Sequence, residues 1–273
     1  EGTKTIMKAL IDKGLSPRVG SAKAEKIDRE YIELVGKSGQ EKIAFAPETG
    51  DYLLRKHLGK PGMTNEVLEE VIKTSIQAGI PNLDLYFILN LAKEAQNSSQ
   101  KTIDLIMRFH ELSQKEGLQG RLRMSAPNFF PKAWTPLQYA ESGRIDTYLQ
   151  KVATLQSTVG PYVAVSSMAE SVDLLSQNIM SRGGVEVGHL LIEVYQKLKE
   201  RELQTGEYQV DTFQDWRDAL STLGLNEEAY FSEKSTDKML PWNYIHLNSS
   251  ISQKQITKAW EVFQNKRAEF VFN

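Results

Sequence analysis

The residues best suited to chemistry gather where strand-like runs give out. Glu48 closes the apolar run 42–46 through Ala46-Pro47-Glu48-Thr49-Gly50. A carboxylate at the C-terminal end of a strand in an α/β sheet or barrel stands where ligands bind. It can accept hydrogen bonds from a ligand's hydroxyl or amino groups, and Gly50 would let backbone come close. It can equally be a solvated loop acid or the cap of the next helix. Arg55, Lys56 and Lys60 follow. Each alone reads first as a solvated basic face, but Lys60 can pair with a ligand carboxylate. An acid and a cation one helix apart suit a nucleoside that carries an amino acid. Tyr86, Asn90 and Glu94 lie on and just past the next strand-like run. Tyr86 is core or contact, Asn90 reads a base edge or caps a turn, and Glu94 can simply begin a helix. Ser125, Asn128, Pro131, Lys132 and Thr135 follow a third run. They form either a further wall of the same pocket or a proline-stiffened loop across its mouth.

Such residues need strands and helices in alternation to hold them. A helix over 4–13 closes at Gly14. A short strand over 16–22 follows, with Pro17 confining it to an edge or a strand start. Asp28 caps a helix over 29–38 and Gly39 stops it. After strand 42–46, Leu53, Leu54 and Leu58 predict a short helix. Thr64 then caps a helix in which Val67, Leu68, Val71, Ile72, Ser75 and Ile76 keep a helical period to Gly79. The run 82–90 is the most β-like, apolar on both faces in its later half. A helix over 99–115 and a strand over 120–126 complete a pattern of parallel βα units spaced about 35–40 residues apart.

Past Pro127 the character changes. An aromatic, proline-rich loop occupies 127–138. Helices over 136–142 and 144–158 and a strand over 161–166 lead to a mostly helical remainder at 168–181, 185–201, 211–223 and 252–267. In the last helix Ile256, Ala259, Trp260 and Phe263 form an inward stripe, and Ser252 and Gln255 have capping-box spacing. Residues 232–249 read as loop. The expected fold is α/β: parallel βα units over 1–166, in a partial parallel (βα) barrel or a doubly wound sheet, then a helical region over 167–273 packed on them.

Composition narrows the function classes. The chain has 273 residues and a net charge of −2, which is no broad nucleic-acid footprint. It contains no cysteine, so disulfides, thiolate catalysis and Cys-ligated zinc or iron–sulfur clusters are excluded within these residues. The four histidines, His57, His110, His189 and His246, form no ligand-spaced pair, so neither a metal ligand nor a catalytic residue is assigned. No P-loop, G-x-G-x-x-G or G-x-S-x-G is present. Arg182-Gly183-Gly184 reads as a turn before an anion site, and Trp216 and Trp242 as packing anchors. No run is long and apolar enough for a membrane span and no leader opens the chain, so a cytoplasmic protein without a membrane partner is expected. The opening Glu1-Gly2-Thr3 suggests a piece of a longer chain.

Several stretches, taken in order, resemble the radical S-adenosylmethionine (SAM) enzymes, closest to their cobalamin-binding, methylthiotransferase-like branch. They are Ala46-Pro47-Glu48-Thr49-Gly50, Leu54-Arg55, Gly59-Lys60, Thr64 and Leu85-Tyr86-Phe87. Ser125, Phe130-Pro131-Lys132, Thr135-Pro136-Leu137-Gln138, Ser181-Arg182-Gly183, Trp216, Ala219-Leu220, Tyr230 and Leu240-Pro241-Trp242 continue the order. The resemblance spans roughly residues 15–260. It implies strands 3–6 of a partial barrel, with SAM lying across the strand ends. It places Ser21 at a SAM contact on the third strand, Glu48 at the ribose or methionine polar groups, and Lys60 at the methionine carboxylate. Tyr86 and Asn90 fall beside ribose and adenine. Ser125 stands at the sixth-strand exit. The family's cluster-binding Cys-x3-Cys-x2-Cys loop is absent, and Asn90-Leu91-Ala92 replaces its Gly-Leu-Pro.

The resemblance implies a parent protein using SAM, a [4Fe–4S] cluster and, in this branch, cobalamin on an unknown substrate. The chain alone is then catalytically incompetent, its first partner being the missing N-terminal part of its own parent. The alternative is a degenerate, non-catalytic binding or scaffold protein. A third reading is an unrelated α/β barrel enzyme that takes phosphate at its strand ends. With two strands missing, the edge at 16–22 would be open to pairing with a second copy.

Overall fold

Asp28, Asp51 and Thr64 each begin a helix, and each does so by offering a side-chain oxygen to an otherwise orphaned backbone N–H. The computed structural model describes residues 2–271 except 22, 93, 96, 169 and 246–251, and for 266–271 it describes the backbone. The chain divides into two compact units. One comprises residues 1–89, 94–127 and 150–167, the other 90–93, 128–149 and 168–273. Residues 128–149, read from the sequence with the first region, thus group with the second.

The first unit is built from α1 (Gly2–Asp12), α2 (Arg29–Lys37), β1 (Lys42–Glu48), α3 (Tyr52–His57), α4 (Asn65–Gln77), β2 (Asn82–Phe87) and α5 (Ser98–Lys115). It is completed by β3 (Leu122–Ser125), the C-terminal part of α6 (Ile145–Thr158) and β4 (Ala164–Ser166). Gly14, Gly39 and Gly79 adopt the left-handed conformation that ends α1, α2 and α4. The strands make one parallel sheet in the order β1-β2-β3-β4.

The pleat separates two kinds of residue. Ile43, Leu83 and Leu122 form one cross-strand row, and Phe45, Leu85 and Met124 the next on the same face; all six are buried. The opposite face carries Ala44, Asp84, Arg123 and Ala164 in one row, then Tyr86, Ser125 and Ser166. Tyr86, Arg123, Ala164 and Ser166 are exposed. The sheet therefore has an apolar core face and a polar, accessible one.

The strand expected over 16–22 does not form. Pro17 has no N–H for a ladder. At Val19 the side chain of Gln40 takes the place of a neighbouring strand: its Oε1 accepts from Val19 N at 2.8 Å and its Nε2 donates to Val19 O at 3.1 Å. Ser21 is exposed coil, and Ala22 lies outside the described residues. The outer strands of the sheet are β1 and β4, so the open edge expected at 16–22 is not there. β1 runs two residues past the expected 42–46, to Glu48, whereas β2, β3 and β4 are shorter than the runs 82–90, 120–126 and 161–166. Past Phe87, Ile88 and Leu89 donate instead to Glu48 O and Pro127 O.

The second unit contains α7 (Ser171–Arg182), α8 (Glu186–Thr205), α9 (Phe213–Thr222), α10 (Glu228–Phe231) and α11 (Gln253–Val271). Leu175, Ile179, Leu190, Trp216, Leu220 and Tyr230 meet in its core. The spacing of Ser252 and Gln255 does give a capping box, with Ser252 N donating to Gln255 Oε1 at 2.7 Å and Gln255 N to Ser252 Oγ at 3.3 Å. The short α10 has no counterpart in the sequence reading. His246 and the end of the loop expected over 232–249 lie outside the described residues. No helix among the described residues is long and apolar enough to cross a membrane.

Arg144 in this unit grips both carboxylate oxygens of Glu228, and with the Ser232 hydroxyl it holds that carboxyl down to about 2. The folded value lies below the ordinary 4.5, so the stabilisation is present above pH 4.5 and is lost as pH falls through about 2. Both side chains are half exposed, and screening limits the pair to under about 1 kcal/mol. Urea unfolding should show Glu228→Gln slightly less stable than wild type at pH 7 and equal to it near pH 2.

Candidate functional site

Strand β1 reaches the site through a break in its ladder. Pro47 lacks an N–H, the pairing with β2 shifts between Phe45 and Glu48, and Glu48 turns to φ 65°. A left-handed backbone costs a non-glycine residue about 1–2 kcal/mol, so the surroundings must hold it. Part of the hold is Ile88 N, which donates to Glu48 O at 2.8 Å. The rest is Lys60, whose Nζ donates to Glu48 Oε1 at 2.6 Å and to Ala46 O at 2.7 Å. The two side chains are 21% and 18% exposed, so the pair is sheltered but reachable.

Lys60 arrives on a loop wound around Arg55. This guanidinium is wholly buried. It donates to Thr49 O at 3.2 Å, Met63 O at 2.6 Å, Gly50 O at 3.5 Å and Asn65 Oδ1 at 2.9 Å. Burial pulls its pKa down to about 10, against the charge of Asp51 nearby. The loop is also fastened to α5: Gly50 N donates to Thr102 Oγ1 at 2.9 Å, and Lys101 Nζ reaches Asp51 Oδ2 at 2.8 Å. Burial would raise the Asp51 carboxyl, but Lys101 and the N–H groups of Leu54 and Leu53 outweigh it and hold it below the ordinary value.

No protein-family model matches the chain, and no curated protein is similar to it.

The other residues singled out in the sequence sort by unit. Tyr86 and Ser125 are direct cross-strand neighbours on the polar sheet face, and Ser166 follows Ser125 on β4. With Glu48 and Lys60 they belong to the first unit. Ser21 is in that unit too, exposed and outside any strand. Glu94 is ion-paired with Lys151. Asn90 belongs to the second unit. It too is left-handed, at φ 57°, and its Nδ2 donates to Asn128 Oδ1 at 3.1 Å and Arg144 O at 3.0 Å. Its amide nitrogen is thus engaged in structure, while its Oδ1 is buried without a hydrogen bond among the described residues. Lys132 donates to Ser181 Oγ at 2.8 Å and lies over the Phe130 ring.

The sequence reading missed Arg55 as an organiser, because Arg55-Lys56 looks like any basic helix face. Its partners are backbone carbonyls, which every residue has. Among the described residues no group of three or more His, Asp or Glu side chains is arranged to hold a metal ion.

Proposed function

We propose that the strand-end face of the first unit is the amino-acid-binding part of an S-adenosylmethionine site, within a partial barrel of the radical SAM type. The observation that carries this reading is the Glu48–Lys60 pair: an acid and a base 2.6 Å apart, partly exposed, at the end of a parallel strand. A methionine zwitterion presents the complementary pair. Its ammonium would go to Glu48 and its carboxylate to Lys60, replacing one ion pair by two at unchanged net charge. Tyr86 offers an aromatic surface and Ser125 a hydroxyl on the adjoining strands. The strand order supports the barrel: right-handed crossovers that always step the same way leave their helices on one face. A doubly wound sheet reverses its order and covers both faces. The residues present do not fit an iron–sulfur cluster, since no cysteine is available to ligate it, and no reaction step is assigned to one. Cobalamin draws no support from either unit.

Calorimetric titration of the full chain with SAM tests the reading. Saturable binding is expected, and Glu48→Gln and Lys60→Met should each weaken it at least about tenfold, the worth of one charge-assisted hydrogen bond. Equal affinity in wild type and both variants would refute the assignment. One observation favours a second reading, a binding or scaffold protein without chemistry: Lys60 is already satisfied by Glu48 and Ala46 O. In that case SAM gives no heat, and Glu48→Gln lowers only stability.

A further inference from the structure

The first unit carries a second concentration of charge that the strand-end site does not use. Where the strands begin, a cavity of about 680 Å³ is lined by Arg18, Lys42, Arg121 and Arg123, together with Gln40 and Asn82. The pleat explains the gathering. Lys42 pairs with Asn82, Asp84 pairs with Arg123, and Arg121 precedes Arg123 by two residues, so all five project from the polar sheet face. Arg18 joins them from the coil clasped by Gln40, its Nη1 donating to Gly39 O at 3.3 Å.

Two of the cations stand beside an acid. Asp84, only 8% exposed, accepts from Lys42 Nζ at 3.2 Å, and its other oxygen stands 3.8 Å from Arg123 Nε with no hydrogen bond among the described residues. Neither Arg18 nor Arg121 forms an ion pair among the described residues. The four cations outnumber the two acids beside them, Glu41 and Asp84. Like charges converging on a concavity repel one another and focus a positive field into it, and an anion relieves both. Three of the four are arginines, whose planar fork matches phosphate oxygens. The cavity is of the size that holds a small molecule, about 300–1,000 Å³. The protein as a whole is slightly acidic, which disfavours a long nucleic-acid track.

We propose that this cavity binds a phosphorylated small molecule, with Arg18, Arg121 and Arg123 on the phosphate oxygens and Lys42 beside them. The site lies at the strand starts, and it does not rest on the SAM reading. Inorganic pyrophosphate, titrated into the full chain at constant ionic strength, is the probe. Saturable binding is expected, with amide shifts concentrated at residues 18–19, 40–42, 82–84 and 121–123. The double variant Arg18→Ala/Arg121→Ala should lose at least about tenfold in affinity with an unchanged circular dichroism spectrum, because both side chains are exposed. Glu48→Gln should bind pyrophosphate as wild type does. Absence of saturation, equal affinity in the double variant, or a matching loss in Glu48→Gln would each overturn the proposal.

Discussion

Replacing Arg55 with methionine is expected to lower the unfolding free energy by about 3 kcal/mol or more, since each buried acceptor left without a donor costs about 1–3 kcal/mol. Methionine fills much of the same volume but brings no donor. The carbonyls of Thr49 and Met63 and the Asn65 side chain would then be stranded. Removing the buried charge returns some desolvation energy, which keeps the estimate near the lower end. Arg55→Lys should fare little better, because an ammonium is a single point and cannot span carbonyls that a planar fork reaches at once. Urea unfolding measures this directly, and an Arg55→Met chain as stable as wild type would show that the guanidinium does not hold the loop. The variant should also loosen Lys60, so any SAM affinity should fall even where the chain stays folded.

Gly50→Ala should cost a similar amount for a different reason. A Cβ built on Gly50 lies 2.3 Å from Lys101 O and 2.4 Å from both Lys101 C and Thr102 Cα. These are backbone atoms of α5, which cannot step aside as a side-chain tip would. The loop would have to lift, breaking the Gly50 N to Thr102 Oγ1 bond at 2.9 Å. Overpacking costs about 1–3 kcal/mol, and a clash with helix backbone belongs at the upper end of that range. Thermal and urea unfolding of Gly50→Ala should both register the loss. A midpoint matching wild type would mean that the β1–α3 loop is not seated against α5.

These two residues also mark how far a sequence can be read. Helix starts at Asp28, Thr64 and Ser252 were legible because a cap is a local device, a side chain serving backbone two or three residues on. The alternation of strands and helices was legible for the same reason, through periods of apolar residues. Three features were not. The segment 16–22 looks β-like, but its partner is the Gln40 side chain, 21 residues away from Val19. Arg55 looks exposed, and its burial depends on where the loop's carbonyls converge. Asn90 follows a strand, yet its amide is committed to Asn128 and Arg144 in the second unit. In each case the deciding contact is long-range or made to backbone, and residue type carries no trace of it. Glu48 and Lys60 lie between these extremes. Their spacing suggested a shared ligand, and the structure adds that they first satisfy each other.

The two-faced sheet has a consequence for how this protein could change over generations. Sequence neighbours on a strand never share a face, so the residues that hold the core and those open to ligands are interleaved but separable. Ile43, Phe45, Leu83, Leu85 and Met124 can stay untouched while Ala44, Tyr86, Arg123 and Ser125 are exchanged one at a time. New specificities can then be sampled on that face with little risk to folding, and Arg55 and Gly50 become the positions where such exploration must stop.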